Sequence, residues 1–191
     1  MQPSNLLPYD GEAFYFPNWI EQPNQLFQEI YEEISWSPDQ GVMFGKPYIT
    51  ERKMAWLAPS NLPYTYSGYE HQAQKIPPCL ELIFKKVKIL FPEVNSCLAN
   101  YYPHGKTSMG YHADNEKELG KNPTILSISL GAKRKFKFKH SHLKTVIDIK
   151  LGNGSLLLMQ GKTQHFWKHS LPISSKIQEP RINLTFRSIS K

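Results

Sequence analysis

The chain has 191 residues, of which 40% are hydrophobic and 20% charged, with 10 Phe, 10 Tyr and 4 Trp; that is apolar area for one globular core and too much for a disordered chain. No aliphatic run approaches the ~20 residues of a membrane helix, and residues 1–20 hold neither a basic start nor an apolar stretch, so neither membrane insertion nor secretion is expected. With 23 Lys and Arg against 16 Asp and Glu the net charge is +7, which favours a polyanionic partner, and two cysteines, Cys79 and Cys97, suit a reducing intracellular setting better than a disulfide framework.

From Gln25 to Trp36, Leu26, Phe27, Ile30, Tyr31 and Ile34 recur at helical spacing while Glu29, Glu32 and Glu33 face water, which predicts an amphipathic helix. The stretch from Met43 to Gly68 alternates aromatics, Lys and Pro without a clean period, and short strands or hairpins joined by mobile loops are expected there. A second helix follows Pro77 and Pro78, with Leu80, Ile83, Phe84, Val87 and Leu90 on one face, and stops before Pro92. From about Ser96 the texture changes to short β-rich runs: Thr124 to Leu130, Arg134 to His140, Thr145 to Leu151, Ser155 to Met159 and Ile182 to Ile189. Many short strands preceded by helices predict a mainly β fold with supporting α, a sandwich or jelly roll with the helices packed on one sheet. Neither repeats nor linkers interrupt the chain, so residues 1–191 read as one domain, helices in about 1–95 and the strand-rich core in about 96–191.

The sharpest local signal is His112-Ala113-Asp114. In an extended segment residues i and i+2 share a face, so an imidazole and a carboxylate point the same way. His169, in Trp167-Lys168-His169-Ser170-Leu171-Pro172, supplies a further nitrogen donor, and two His with one carboxylate, leaving positions open, is the ligand set of non-haem Fe(II) oxygenases. A His-x-Asp pair alone is more often a simple hydrogen-bonded pair; the last strand shifts the balance. Period 2 puts Ile182, Leu184 and Phe186 on one face and Arg181, Asn183, Thr185 and Arg187 on the other. Two guanidiniums directed inward from a core strand demand anions, and a dicarboxylate satisfies both.

At these residues the chain resembles the AlkB family of Fe(II)- and 2-oxoglutarate-dependent dioxygenases. The motifs run in the family's order: Asn100-Tyr101-Tyr102, His112-Ala113-Asp114, Ser127-Ile128-Ser129-Leu130-Gly131-Ala132, His169-Ser170-Leu171-Pro172, and Pro180-Arg181 through Arg187. Phe44-Gly45-Lys46, Arg52-Lys53 and Tyr64-Thr65-Tyr66-Ser67-Gly68 resemble the nucleotide-recognition region of its DNA-repair members. The resemblance implies a double-stranded β-helix with Fe(II) on His112, Asp114 and His169; His165 is the rival for the third place. It also implies Asn100, Tyr102 and Arg181 on the distal carboxylate of 2-oxoglutarate, with Asn183 and Arg187 on its metal-binding end and Thr185 among its further contacts. The implied reaction consumes 2-oxoglutarate and O2 and removes a methyl group, as formaldehyde, from a damaged base such as 1-methyladenine or 3-methylcytosine in DNA. Alternatives are the same chemistry on methylated RNA or a protein side chain, and a non-catalytic nucleic-acid-binding module.

A base is oxidised only outside the stack, so aromatic faces are needed to hold it. Tyr66 is the expected stacking face, Phe44, Trp56 and Tyr64 are candidates for the entrance, with core packing the alternative for each and on equal terms for Trp56, and Asn115 and Glu116 are expected near the base edge. Lys46, Arg52, Lys53 and the lysines of Arg134-Lys135-Phe136-Lys137-Phe138-Lys139 are placed to meet phosphates, the alternative for the latter being a Lys-blunted edge strand. His71, His104, His140 and His142 read as surface residues. No dimerisation pattern is visible, so a monomer is expected, in the cytoplasm or nucleoid of a bacterium or the nucleus of a eukaryote.

Overall fold

Short runs alternating between apolar and polar side chains build two antiparallel sheets, and helices cover the outer face of the larger one. The computed structural model describes residues 3–43, 46–59, 62, 64–66 and 69–190. In chain order the elements are β1 (Glu12–Phe16), α1 (Pro23–Glu33), β2 (Ser37–Met43), β3 (Lys46–Leu57), β4 (Tyr64–Tyr66), β5 (Tyr69–His71), α2 (Pro78–Leu90), β6 (Ser96–Tyr102), β7 (Met109–His112), β8 (Ile125–Gly131), β9 (Arg134–His140), β10 (Val146–Leu151), β11 (Ser155–Gln160), α3 (Thr163–Phe166), β12 (Trp167–Leu171) and β13 (Arg181–Arg187). The larger sheet runs β1-β11-β8-β13-β6-β3-β2, the smaller β10-β9-β12-β7, and β4 with β5 forms a two-stranded sheet. This is the jelly roll expected from the strand texture.

The core has two layers. Leu26, Phe27 and Ile30 of α1 and Leu80, Phe84 and Val87 of α2 pack on Leu126, Ile128, Leu184 and Phe186 of the larger sheet. Between the sheets, Met54, Trp56, Leu98 and Leu157 meet Phe136, Phe138 and Trp167. Strand β13 is buried along its whole length, with Ile182, Leu184 and Phe186 facing the helices as its alternation predicts. Gly131, at the end of β8, has φ +81°, and a Cβ there would come within 2.5 Å of the Pro180 carbonyl, so this turn into the β9 side requires glycine.

Four expectations change. The first helix stops at Glu33 rather than Trp36, because Ile34 is already extended and Trp36 turns back to donate its Nε1–H to the Tyr31 carbonyl at 3.1 Å. The stretch after Met43 holds a 12-residue strand, β3, whose end pairs with β6 from Lys53↔Tyr101 to Leu57↔Cys97. Its period was hidden because both faces are covered, Ala55 and Leu57 by the helical layer and Met54 and Trp56 by the layer between the sheets. Trp56 is therefore core rather than entrance: it is 1% exposed and donates to the Leu62 carbonyl at 2.7 Å. Strand β9 is not an edge either, since it lies between β10 and β12.

Phe84 meets Phe186 edge-on at 5.0 Å and couples α2 to the strand that carries the arginines. Phe84→Ala is expected to cost about 3–5 kcal/mol in urea unfolding; a loss under about 1 kcal/mol would show that this helix is not a structural support for the sheet.

Candidate active site

The pairing of β12 with β7 sets His169 directly opposite His112, two residues from distant parts of the chain, with ring centroids 4.2 Å apart. Asp114 follows just past the end of β7, and one donor atom from each of His112, Asp114 and His169 lies within 4.8 Å of the others. Nδ1 of His112 is bonded to the Gly110 carbonyl at 2.9 Å, which places a proton on that nitrogen and leaves Nε2 as an electron-pair donor. Nε2 of His169 is 3.8 Å from Asp114 Oδ2, too long for a hydrogen bond, and its Nδ1 is buried without a hydrogen-bond partner. Converging donors with no hydrogen bond between them, two imidazole nitrogens and a carboxylate, fit a divalent first-row metal such as Fe(II).

The charges suit that role. Burial, then the neighbouring His112, pushes His169 down to about 3 against the partial opposition of Asp114, so its imidazole is neutral, as a metal ligand must be. Burial works to raise the Asp114 pKa, but the Arg187 guanidinium outweighs it and holds the carboxyl below its ordinary value. Nη2 of Arg187 is 3.4 Å from Asp114 Oδ1. His165 is exposed, sits in α3 with Nε2 3.0 Å from Asn122 Oδ1, and lies outside the donor cluster.

A cavity joins this cluster to the polar face of β13, where Arg181, Asn183, Thr185 and Arg187 all line it together with Asn100 and Tyr102 of β6. The register accounts for the grouping: Arg181 is opposite Tyr102 and Asn183 is opposite Asn100. Nη2 of Arg181 donates at 2.8 Å to both Ser129 Oγ and Asn183 Oδ1, its guanidinium lies 5.4 Å from the centre of the Tyr102 ring, and burial pushes its pKa down to about 10, Tyr102 opposing. Asn183 Nδ2 donates to Ser127 Oγ at 3.2 Å and to Thr185 Oγ1 at 3.0 Å. The wall is thus a buried cation held by neutral oxygens, directed into a space that also contains the metal donors.

The expected substrate residues fare differently. Phe44, Gly45 and Ser67 lie outside the described residues, as do the side chains of Tyr64, Thr65 and Tyr66. Lys46 and Lys53 are exposed, as a phosphate contact requires. Arg52 is not such a contact: it is 5% exposed, with Nη2 2.7 Å from Asp39 Oδ2 and Nη1 donating to Asn100 Oδ1 at 3.0 Å. An acid on the neighbouring strand captures it and turns it towards the cavity wall. Asn115 is exposed and Glu116 half-buried on the segment after Asp114, and neither is among the cavity-lining residues. His140 is buried, against the surface reading; its Nδ1 accepts the backbone N–H groups of His142 and Leu143 at 3.2 and 3.0 Å, closing the turn after β9. Sequence reading missed Asp39 and Gln164, neither of which stands in any motif, while the alternation in Ser127-Ile128-Ser129 already marked one polar face.

The family model of the 2OG-Fe(II) oxygenase superfamily matches residues 12–187. Over 180 residues the chain is 35% identical to the DNA oxidative demethylase ALKBH2 of Homo sapiens, covering 88% of this chain and 69% of that protein, and 34% identical to ALKBH2 of Bos taurus. The chain belongs to the AlkB family of this superfamily. It spans 65% of the length of the bovine relative, again with 88% of its own length aligned. The AlkB-family fold is also shared with a solved structure described as "The structure of OsALKBH1", at TM-score 0.63 and 15% identity, covering 95% of this chain and 99% of that one. For a member of this superfamily the implied metal is Fe(II) and the co-substrates are 2-oxoglutarate and O2, and the donor set above fits the metal.

A pH dependence follows from His169, whose pKa falls from 6.5 in the unfolded chain to about 3 in the folded one. The unfolded chain takes up this proton first, so the stability His169 contributes is present above 6.5 and is lost as pH falls towards 3. The melting temperature of the metal-free protein is expected to drop between pH 6.5 and 4, and His169→Gln to flatten that slope. An identical slope in the variant would mean that His169 does not titrate in this way.

Proposed function

We propose that the chain is an oxidative demethylase of alkylated DNA bases, working as one monomeric domain in an intracellular compartment that holds DNA. The observation that carries this reading is the juxtaposition of the His112, Asp114 and His169 donors with the buried guanidinium of Arg181 across one cavity. The relatives named DNA oxidative demethylase supply the substrate class. His112, Asp114 and His169 would hold Fe(II); Arg181, with Asn100 and Tyr102, would take the distal carboxylate of 2-oxoglutarate; Asn183, Thr185 and Arg187 would face its metal-binding end. The chemistry supplied by Fe(II) with 2-oxoglutarate and O2 is hydroxylation of an N-methyl carbon, which is released as formaldehyde, with succinate and CO2 formed alongside. Phe136 stacks on His169 at 5.4 Å and, with Met109 and Leu171, gives the cavity apolar walls that exclude water.

The backbone of the nucleic acid is assigned to the outer face of the smaller sheet. Lys135, Lys137 and Lys139 all point outward from β9, Lys150 stands opposite Lys135, and Lys168 stands opposite Lys139. Asp148, at 3.3 and 3.5 Å from Lys135 and Lys137, neutralises only part of this face, which leaves the exposed Lys150 and the cross-strand pair of Lys139 and Lys168 as cations for phosphate. Replacing Lys139 and Lys168 by Gln is expected to lower the slope of log K against log salt for DNA binding by about 2, at ~0.9 per phosphate contact. An unchanged slope would remove this face from the interface.

Activity is tested by anaerobic loading with Fe(II) and 2-oxoglutarate, then air, with oligonucleotides carrying 1-methyladenine or 3-methylcytosine. The expected product has lost one methyl by mass, and His169→Ala abolishes the loss. Succinate without demethylation would contradict DNA as the substrate, and turnover only on the matching RNA would reassign it.

A further inference from the structure

Two of the three donors are fixed by the ladder between β7 and β12, where His112 and His169 pair directly. Asp114 is not, because β7 ends at His112. Its backbone N–H is instead bonded by a side chain from the other side of the site: Oε1 of Gln164 accepts it at 3.0 Å. Gln164 is 2% exposed, and its Nε2 donates to Met159 Sδ at 3.6 Å, so both ends of the amide are engaged and its orientation is determined. The one-turn helix α3 that carries it is anchored in turn. Thr163 Oγ1 accepts the Glu12 N–H at 2.8 Å, tying α3 to β1 at the edge of the larger sheet, and its single proton has the Gln160 carbonyl at 2.5 Å and the Glu12 carbonyl at 3.0 Å within reach. The carboxylate is therefore placed by a chain running from β1 through Thr163 and Gln164 to the Asp114 backbone, which does for the acid what the ladder does for the two histidines.

We propose that Gln164 is a positioning residue for the metal site: by accepting the Asp114 N–H it fixes where that carboxylate meets the ion, and so sets metal affinity. This rests on the reading of His112, Asp114 and His169 as ligands. Groups that orient a ligand from behind typically alter metal affinity 10- to 100-fold, whereas a hydrogen bond that merely supports the fold changes stability and leaves affinity alone.

The test is titration of the full chain with Mn(II), following the free ion by electron paramagnetic resonance, together with amide hydrogen exchange at Asp114 in the metal-free protein. Gln164→Met keeps length and volume and removes the acceptor. Mn(II) affinity is expected to fall roughly tenfold and exchange at Asp114 to accelerate. Trp56→Phe, which deletes a buried hydrogen bond in the core, is expected to lower the melting temperature and leave Mn(II) affinity within twofold. Gln164→Glu retains an accepting oxygen, and is expected to keep Asp114 exchange slow; it carries the test if the Met variant does not fold, and fast exchange in it would overturn the proposal. Affinity in Gln164→Met equal to the parent, or reduced no more than in Trp56→Phe, would also overturn it. A parent chain that binds no Mn(II) would instead bring down the ligand assignment itself.

Discussion

Arg181 is a buried cation whose partners are neutral, and much of the site follows from that. It is 1% exposed, its hydrogen bonds go to Ser129 Oγ and Asn183 Oδ1, and burial lowers its pKa. Taking a guanidinium out of water costs several kcal/mol unless an anion meets it. At the other end of the same strand Arg187 has such an anion in Asp114. The strand thus presents one guanidinium that neutralises the acid of the donor cluster and one that is left for a negatively charged ligand. In the proposed function the distal carboxylate of 2-oxoglutarate meets Arg181, where Arg rather than Lys matters because the fork matches a carboxylate.

The jelly roll delivers these groups by register. On the larger sheet, β13 between β6 and β8 aligns Tyr102 with Arg181 and Asn100, Asn183 and Ser129 in one row. On the smaller sheet, β12 between β9 and β7 brings His169 against His112 and buries it beneath Phe136 and Phe138. A slip of one residue in the pairing of β13 would turn the polar row into the apolar layer and send Ile182 or Leu184 to the cavity. The helices guard against that slip, since they accept only the face carrying Ile182, Leu184 and Phe186.

What could be read from the sequence was whatever a short period encodes. The two faces of β13, the alternating lysines of β9, both helices and the His112-Ala113-Asp114 pair all depend on spacings of two to four residues, and the structure keeps these patterns except at their ends, where Tyr31 and Leu90 are exposed and Asp114 falls just past its strand. Long-range capture could not be read that way. Arg52 looked like a surface cation beside Lys53 until Asp39 on the paired strand took it inward. Gln164 reaches Asp114 across 50 residues of sequence. In β3, Met54 to Leu57 showed no period because two layers cover the strand at once, the same burial that placed Trp56 in the core.

The most direct measurement compares 2-oxoglutarate with 2-oxopentanoate, which has the same metal-binding end and no distal carboxylate, for binding to the Mn(II)-loaded protein without oxygen. The expected result is roughly a hundredfold preference for 2-oxoglutarate, as a charge-assisted pair at a buried site provides, collapsing in Arg181→Met. Equal affinity for the two acids, or a preference that survives in the variant, would contradict the assignment of the buried Arg181 guanidinium as the anchor of an anionic ligand.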